Sequence, residues 1–119
     1  MKRLLSAFRN SVRAFRRLAG SETAFQQELV LLALSLPLGW FVSTSWGGYA
    51  LLVGAVLALV MVEVLNTGIE AVCDAVSREF NADIQLAKDC GSLAVLIAVV
   101  LAAGIWIVAV AERIASLPV

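Results

Sequence analysis

Three long apolar stretches constrain this chain more than any other feature of its sequence. They cover roughly residues 25–43, 47–72 and 90–111, and each offers the ~20 residues that a helix needs to cross a hydrocarbon core of about 30 Å. Of the 119 residues, 61% are hydrophobic, and the mean hydropathy is +0.94. A soluble domain of this length needs more polar surface than that. We therefore predict one all-α integral-membrane domain, residues 1–119, with three transmembrane helices.

The first 20 residues differ from the rest in carrying six cations and no acid. The cations are Lys2, Arg3, Arg9, Arg13, Arg16 and Arg17. Apolar residues recur between them at spacings of three and four, which is the period of an amphipathic helix. We predict that residues 1–20 form a helix lying on the membrane surface, where its cations meet anionic lipid headgroups.

The distribution of positive charge also predicts how the chain crosses the membrane. Cationic segments stay on the cytoplasmic side, which places residues 1–20 there together with the polar connection 77–89, which contains Arg78 and Lys88. The uncharged turn at residues 43–48 and the C-terminus then face the periplasm. Three spans put the two termini on opposite sides, as this assignment requires.

Several classes of function are excluded by residue types that the chain lacks. It has no histidine and no Cys-x-x-Cys pair, and its two cysteines are Cys73 and Cys90. Histidine-based catalysis and histidine-rich metal sites are therefore impossible, and two cysteines do not make a disulfide framework. Apart from the basic first segment, nothing in the sequence indicates a nucleic-acid partner.

The second apolar stretch ends in an unusual polar sequence, "VEVLNTGIEAVCD", at residues 62–74. On a helix, Glu70 and Asp74 lie within about 20° of Glu63, and Asn66 and Thr67 flank this stripe. A carboxylate in the bilayer interior costs at least ~2.5 kcal/mol, so three aligned carboxylates must face protein, water or cations. The stripe fits either a structural network with arginine and lysine of neighbouring helices or a site that binds a metal ion and a phosphate.

Further polar groups are expected at the same face of the membrane. They are Glu22, Glu28, Glu79, Lys88 and Asp89. Carboxylates without histidine or thiolate partners suit Mg²⁺, particularly Mg²⁺ shared with a nucleotide. Lys88, near the start of the third span, can meet a phosphate with the help of that helix's dipole. The glycine-rich GxxxxGK loop is missing, so any ATP binds without that motif.

These residues resemble a known signature. "VEVLNTGIEAVCD" followed by "AKDCGSLAVLIAVV" matches the E-x-x-N-(S/T)-x-x-E and A-K-D-x-G-S elements of the small bacterial integral-membrane diacylglycerol kinases, a superfamily that includes undecaprenol kinase. "SETAFQQE" at residues 21–28 is similar to the "NEAAFRQE" element of the same family. The resemblance covers nearly the whole chain.

The resemblance implies a homotrimer of three-helix subunits in the bacterial inner membrane, with active sites shared between subunits at the cytoplasmic face. The family transfers the γ-phosphate of MgATP to the hydroxyl of diacylglycerol and forms phosphatidic acid. By position, Glu63 would be the general base, supported by Asn66. Glu22 and Glu70 would hold Mg²⁺.

The resemblance also implies two wider sets of contacts. Nucleotide contacts would come from Arg3, Asn10, Glu22, Glu70, Glu79, Asn81, Lys88 and Asp89. Contacts with the lipid substrate would come from Arg3, Ala7, Glu63, Ser92 and Trp106. The chain departs from the family pattern at Asn10, where a tyrosine is expected, and at Asn81, where a histidine is expected.

Two alternative functions fit the same sequence features. Undecaprenol kinase shares the scaffold, although "KDCGSLAVL" is more similar to the diacylglycerol enzymes than to the "KDxAAGAVL" pattern of that relative. A non-catalytic, cation-binding membrane oligomer is an alternative of another class, with the acidic stripe lining a pore. That alternative gives no role to Glu22, Lys88 and Asp89.

Overall fold

The computed structural model describes residues 1–118, and its regular secondary structure over that range is entirely helical. It contains α1 (Lys2–Ser21), α2 (Thr23–Val42), α3 (Trp46–Val76) and α4 (Ala82–Ala115). Helices α2, α3 and α4 are each long and apolar enough to cross a membrane. The prediction of an all-helical chain with three apolar helices of spanning length is confirmed.

Helix α3 is the centre of the bundle, because it packs along both α2 and α4 while those two scarcely touch each other. Its buried apolar residues recur at spacings of three and four, as expected for one face of a helix: Leu52, Val56, Leu59 and Val60. Most of the large apolar side chains on the other faces are exposed. A lipid environment or further chains would cover them.

The helices extend beyond the apolar stretches, so the connection predicted at residues 77–89 was wrong in length and covers only residues 77–81. Asn81 begins α4 as its N-cap, since its Oδ1 accepts hydrogen bonds from the backbone N–H groups of Asp83 (2.9 Å) and Ile84 (3.2 Å). A helix therefore continues through the charged residues, and Lys88 and Asp89 lie on α4. With 31 residues, α3 is about 46 Å long, which exceeds the thickness of the hydrocarbon core of a bilayer.

The opposite end of the bundle is closed by side chains that bind backbone carbonyls of α2. Arg113 donates to the carbonyl of Phe41 (3.1 Å) near the end of α2, and the Tyr49 hydroxyl donates to the carbonyl of Leu36 (2.9 Å). The last carbonyls of a helix have no partner within the helix, so Arg113 satisfies one of them from α4. These bonds hold the three long helices together at the end remote from the acidic stripe.

Helix α1 is attached to the bundle only through its C-terminal part, and none of its residues is buried. The rings of Phe15 and Phe25 meet edge to face with centroids 5.6 Å apart, and Gln26 Nε2 donates to the Ala19 carbonyl at 2.8 Å. Glu22 joins the two helices in an extended conformation. The position of α1 on the membrane surface stays a prediction.

A candidate active site at the acidic end of helix α3

Four glutamates form one carboxylate cluster: Glu22 at the α1–α2 junction, Glu28 on α2, and Glu63 and Glu70 on α3. Glu63 on α3 and Glu28 on α2 are both only 8% exposed. The negative charges of Glu22 and Glu70 act on the Glu63 carboxyl group, and that of Glu63 acts on Glu28. Like charges gathered at a buried place repel one another unless a cation or protons offset them. The cluster therefore favours the binding of a cation.

Glu22 and Glu70 line a common cleft of about 380 Å³ between the α1–α2 junction and the last turns of α3. We call it the acidic cleft; its lining residues are Arg17, Glu22, Thr67, Glu70, Ala71, Asp74, Ala75 and Arg78. Glu22 occupies the N-cap position of α2, yet its side chain makes no capping hydrogen bond. Its carboxylate is therefore free to bind a ligand.

The donor set of the acidic cleft fits a magnesium ion that is bound together with phosphate. Over residues 1–118, no group of three or more cysteine or carboxylate side chains is arranged to hold a metal by itself. Mg²⁺ does not need such a group, because it commonly takes one or two protein carboxylates and completes its octahedron with substrate phosphates and water. Glu22 and Glu70 supply two carboxylates on one cleft.

Asn66 contacts Glu70 of the predicted metal pair. Its Nδ2 donates to Glu70 Oε1 at 3.2 Å, whereas the family resemblance implies that Asn66 supports Glu63. The Asn66 side chain is buried, with 8% of the residue exposed, and its Oδ1 has no hydrogen-bond partner within the described chain. The structure thus joins Asn66 to the carboxylate beside the cleft.

Asp74, the third member of the acidic stripe, has a structural partner. Lys88 Nζ on α4 binds its Oδ1 at 2.8 Å, and this is the single ion pair found in residues 1–118. The structural-network interpretation is therefore correct for Asp74. It does not extend to the carboxylate cluster, none of whose members has an ion-pair partner in that range. Because Asp74 lines the acidic cleft, the pair also holds the Lys88 ammonium at its edge.

A single chain brings together only part of the predicted nucleotide set. Arg3 lies about 28 Å along α1 from Glu22, and Asn10 lies about 18 Å away, so neither lines the acidic cleft. Asn10 instead accepts a hydrogen bond from Arg13 at 3.0 Å. The Asn81 side chain caps α4. Glu79 and Asp89 are exposed, one in the connection and the other on α4.

The predicted lipid contacts are also dispersed along one chain. Ser92 is exposed on α4, and Trp106 follows about 21 Å further along the same helix. The Trp106 indole Nε1 donates to the Leu52 carbonyl at 3.0 Å, so this ring also joins α4 to α3. Ala7 and Arg3 are exposed on α1. Within one chain, these residues therefore do not form a single site.

Three residues at the site were missed by sequence reasoning. Arg17 and Arg78 line the acidic cleft, although Arg17 had been assigned to the surface helix and Arg78 only to membrane orientation. Gly91 is buried on α4, directly against the Asn66 side chain. The A-K-D-x-G-S element contains this glycine, but a sequence does not show which side chain faces it.

Comparison with known proteins places this chain in a family. The family model described as prokaryotic diacylglycerol kinase matches residues 9–110. The diacylglycerol kinase of Escherichia coli (strain K12) is 35% identical over 104 residues, covering 87% of this chain and 85% of the relative. That of Pseudomonas aeruginosa (strain PAO1) is 34% identical over 106 residues, covering 89% and 86%.

A third relative, the diacylglycerol kinase of Haemophilus influenzae (strain Rd), is 29% identical over 103 residues, with 87% of each chain covered. The match thus spans α2, α3 and the polar and apolar parts of α4. Three apolar helices and these bacterial relatives together indicate a multi-pass protein of the inner membrane. The family model and the relatives agree, and the chain belongs to the prokaryotic diacylglycerol kinase family.

Proposed function

We propose that this protein is a lipid kinase that transfers the γ-phosphate of ATP to the hydroxyl of diacylglycerol and releases phosphatidic acid. The observation that carries the proposal is the carboxylate cluster without a cation partner in residues 1–118, placed beside a cleft that also contains arginine side chains. Such a site matches Mg²⁺ bound to a polyphosphate. The relatives named diacylglycerol kinase support the choice of lipid.

In this proposal Glu63 is the general base: it accepts the proton of the lipid hydroxyl as the hydroxyl oxygen bonds to the γ-phosphorus, while the bond from that phosphorus to ADP breaks and ADP leaves. Glu63 is buried on α3, within the predicted span 47–72, and in this proposal the lipid hydroxyl reaches it from the bilayer. Glu22 and Glu70 hold Mg²⁺, with Asn66 orienting Glu70. When bound, the metal ion neutralises charge on the phosphate oxygens. Positioning and charge neutralisation are most of what phosphoryl transfer asks of a protein.

The remaining nucleotide and lipid contacts are assigned to a homotrimer. Arg3, Asn10 and Trp106 are too far from the acidic cleft to serve it within their own chain. An active site shared between subunits would let α1 and α4 of one chain reach the cleft of the next. The many exposed apolar side chains on the outer faces of the helices are compatible with such packing. The proposed nucleotide site is completed by residues at the proposed cytoplasmic ends of α3 and α4: Glu79, Asn81, Lys88 and Asp89.

A lipid panel with labelled ATP tests the proposed reaction directly. Purified protein in neutral detergent micelles is expected to phosphorylate diacylglycerol in preference to monoacylglycerol and undecaprenol. Preference for undecaprenol would instead identify the protein as an undecaprenol kinase, the alternative function on the same scaffold. Absence of ATP turnover with every lipid would favour the non-catalytic cation-binding oligomer.

The two arginines of the acidic cleft are expected to contribute to ATP affinity. Replacing Arg17 or Arg78 by glutamine should each raise the KM for ATP roughly tenfold, because each change removes a charge-assisted hydrogen bond to phosphate. The matched control is Arg16→Gln, which removes the same charge from the neighbouring position of α1, outside the cleft lining. Initial rates at saturating Mg²⁺ and lipid give the KM. Equal values for the cleft and control variants would contradict the assignment.

The predicted orientation can be checked with cysteines placed at exposed positions that do not cap a helix. In intact cells, an impermeant thiol reagent should label cysteine introduced at Thr44 or Leu117 from outside. It should not label cysteine at Ser6 or Phe80 until the membrane is opened. The background needs Cys73 and Cys90 replaced by alanine.

The orientation test bears on the whole proposal, because the acidic cleft must meet cytoplasmic ATP. Phe80 lies in the connection between α3 and α4, close in sequence to the cleft residue Arg78. Labelling at Phe80 from outside would put the cleft on the wrong side for a kinase. Detergent-opened cells serve as the control that all four cysteines are reactive.

A further inference from the structure

Gly91 on α4 packs directly against the side chain of Asn66 on α3, next to the site. A Cβ atom built on Gly91 would overlap Asn66 Oδ1, and it would lie 3.1 Å from the Cγ and 3.7 Å from the Cβ of the same side chain. Only glycine fits here without moving the asparagine side chain or separating the helices.

This contact also accounts for the buried amide oxygen that lacks a hydrogen-bond partner over the described residues. A Cβ would replace one of the two Cα hydrogens of Gly91, so that hydrogen points towards Asn66 Oδ1. The Gly91 Cα then lies within about 3.5 Å of the oxygen, the range of weak Cα–H···O contacts between packed helices. A Cα–H group is weakly positive and favours the amide oxygen over the amide NH₂ in this place.

The orientation of the amide decides what its other end can do. With Oδ1 held against Gly91, Nδ2 points to Glu70 and donates to its Oε1 at 3.2 Å. The reversed amide would present an oxygen to the carboxylate and repel it. A donor that binds a metal-ligating carboxylate fixes its position, and losing such a partner typically weakens metal binding by about 10- to 100-fold.

We propose that Gly91 is a positioning residue for Glu70: its bare Cα selects the orientation of the Asn66 amide, which in turn holds the Glu70 carboxylate for the metal. The inference rests on the proposed function, in which Glu70 is a ligand of Mg²⁺. It adds a residue on α4 that touches neither substrate nor metal and acts through Asn66.

The surroundings leave the asparagine little freedom to avoid an added methyl group. Only 8% of Asn66 is exposed. Nearby, the ion pair of Lys88 with Asp74 holds α4 against α3. Withdrawal of α4 by the distance that a methyl group needs would stretch this pair. We therefore expect alanine at position 91 to displace the amide and release Glu70.

The first test compares Gly91→Ala with Gly104→Ala, a matched control on the same helix where an added Cβ meets nothing within 4 Å. Gly91→Ala should raise the Mg²⁺ concentration for half-maximal turnover roughly tenfold, and Gly104→Ala should leave it unchanged. A direct reading comes from Mn²⁺ titration followed by electron paramagnetic resonance, with a non-hydrolysable ATP analogue present. Wild-type Mn²⁺ affinity in the Gly91→Ala variant would overturn the proposal.

A double-mutant cycle shows whether Gly91 acts through Asn66. Asn66→Ala removes the clashing atoms, so Gly91→Ala in that background should change neither Mn²⁺ affinity nor the thermal midpoint in detergent. The same change in the wild-type background should lower both. Additive losses in the double variant would overturn the proposal, as would an Asn66→Ala variant with wild-type Mn²⁺ affinity. If Gly91→Ala alone fails to assemble, the comparison within the Asn66→Ala background still decides.

Failure of this inference and failure of the proposed function give different results. A wild-type protein that binds Mn²⁺ but never phosphorylates lipid would remove the kinase proposal, while the cycle in Mn²⁺ affinity would still test Gly91. A wild-type protein that turns over lipid and shows additive losses would remove the inference alone. A wild-type protein that binds no Mn²⁺ with nucleotide would remove both, since Glu70 would then hold no metal.

Discussion

Glu63→Gln is expected to lower turnover at least about a hundredfold, while the protein still inserts into the membrane and assembles. General-base catalysis is typically worth ~10²–10⁴ in rate, and glutamine cannot accept the proton of a lipid hydroxyl. The substitution keeps the shape of a side chain that is 8% exposed, so packing around it should persist. It also removes one negative charge from the carboxylate cluster, which relieves repulsion with Glu22 and Glu70.

The measurement is kcat with saturating diacylglycerol and MgATP, together with size-exclusion chromatography in detergent. Glu112→Gln is the matched control, because this glutamate is exposed near the end of α4 that is remote from the carboxylate cluster. It should retain wild-type turnover. Turnover of the Glu63 variant within about tenfold of the wild type would remove Glu63 from the role of base.

The second large effect concerns the metal. Glu22→Ala and Glu70→Ala should each raise the Mg²⁺ requirement at least roughly tenfold, because ligand carboxylates matter no less than the partners that orient them. The double variant should lose little beyond the worse single variant, since two groups that serve one ion are not independent. Their place on one cleft is the structural basis of this expectation.

Mg²⁺ dependence of the rate and Mn²⁺ affinity in the presence of an ATP analogue provide two separate measurements. Glu79→Ala, in the exposed connection between α3 and α4, separates metal binding from nucleotide binding. It should raise the KM for ATP and leave Mn²⁺ affinity unchanged. Fully additive losses in the variant lacking both Glu22 and Glu70 would mean that these carboxylates do not share an ion.

Some of these features are readable from the sequence because they depend only on local periodicity and on transfer from water to lipid. Apolar stretches of spanning length predict three long helices, whatever their neighbours are. The spacing of Glu63, Glu70 and Asp74 puts them on one stripe because an α-helix turns by a fixed angle per residue. The cost of placing these carboxylates in a membrane also predicts that the stripe faces a partner.

The sequence was less informative about the partner of each charged side chain and about where a helix begins. It could not show that Asp74 takes Lys88 as its partner, while the four glutamates of the carboxylate cluster have no ion-pair partner in the described chain. It also put the start of the third long helix at residue 90, because apolarity marks the membrane core and not the helix end. Asn81 begins that helix eight residues earlier, at Ala82, through bonds to backbone N–H groups.

The sequence by itself determined the number of helices, the membrane environment and the common face of the acidic residues, all of which follow from the composition and period of single segments. Only the tertiary structure decided that Glu22 and Glu70 share a cleft, that Asn66 holds Glu70, and that Gly91 lies against Asn66. These contacts depend on the distance and rotation between helices. They are set by packing of the whole α2–α3–α4 bundle, and no single segment contains that information.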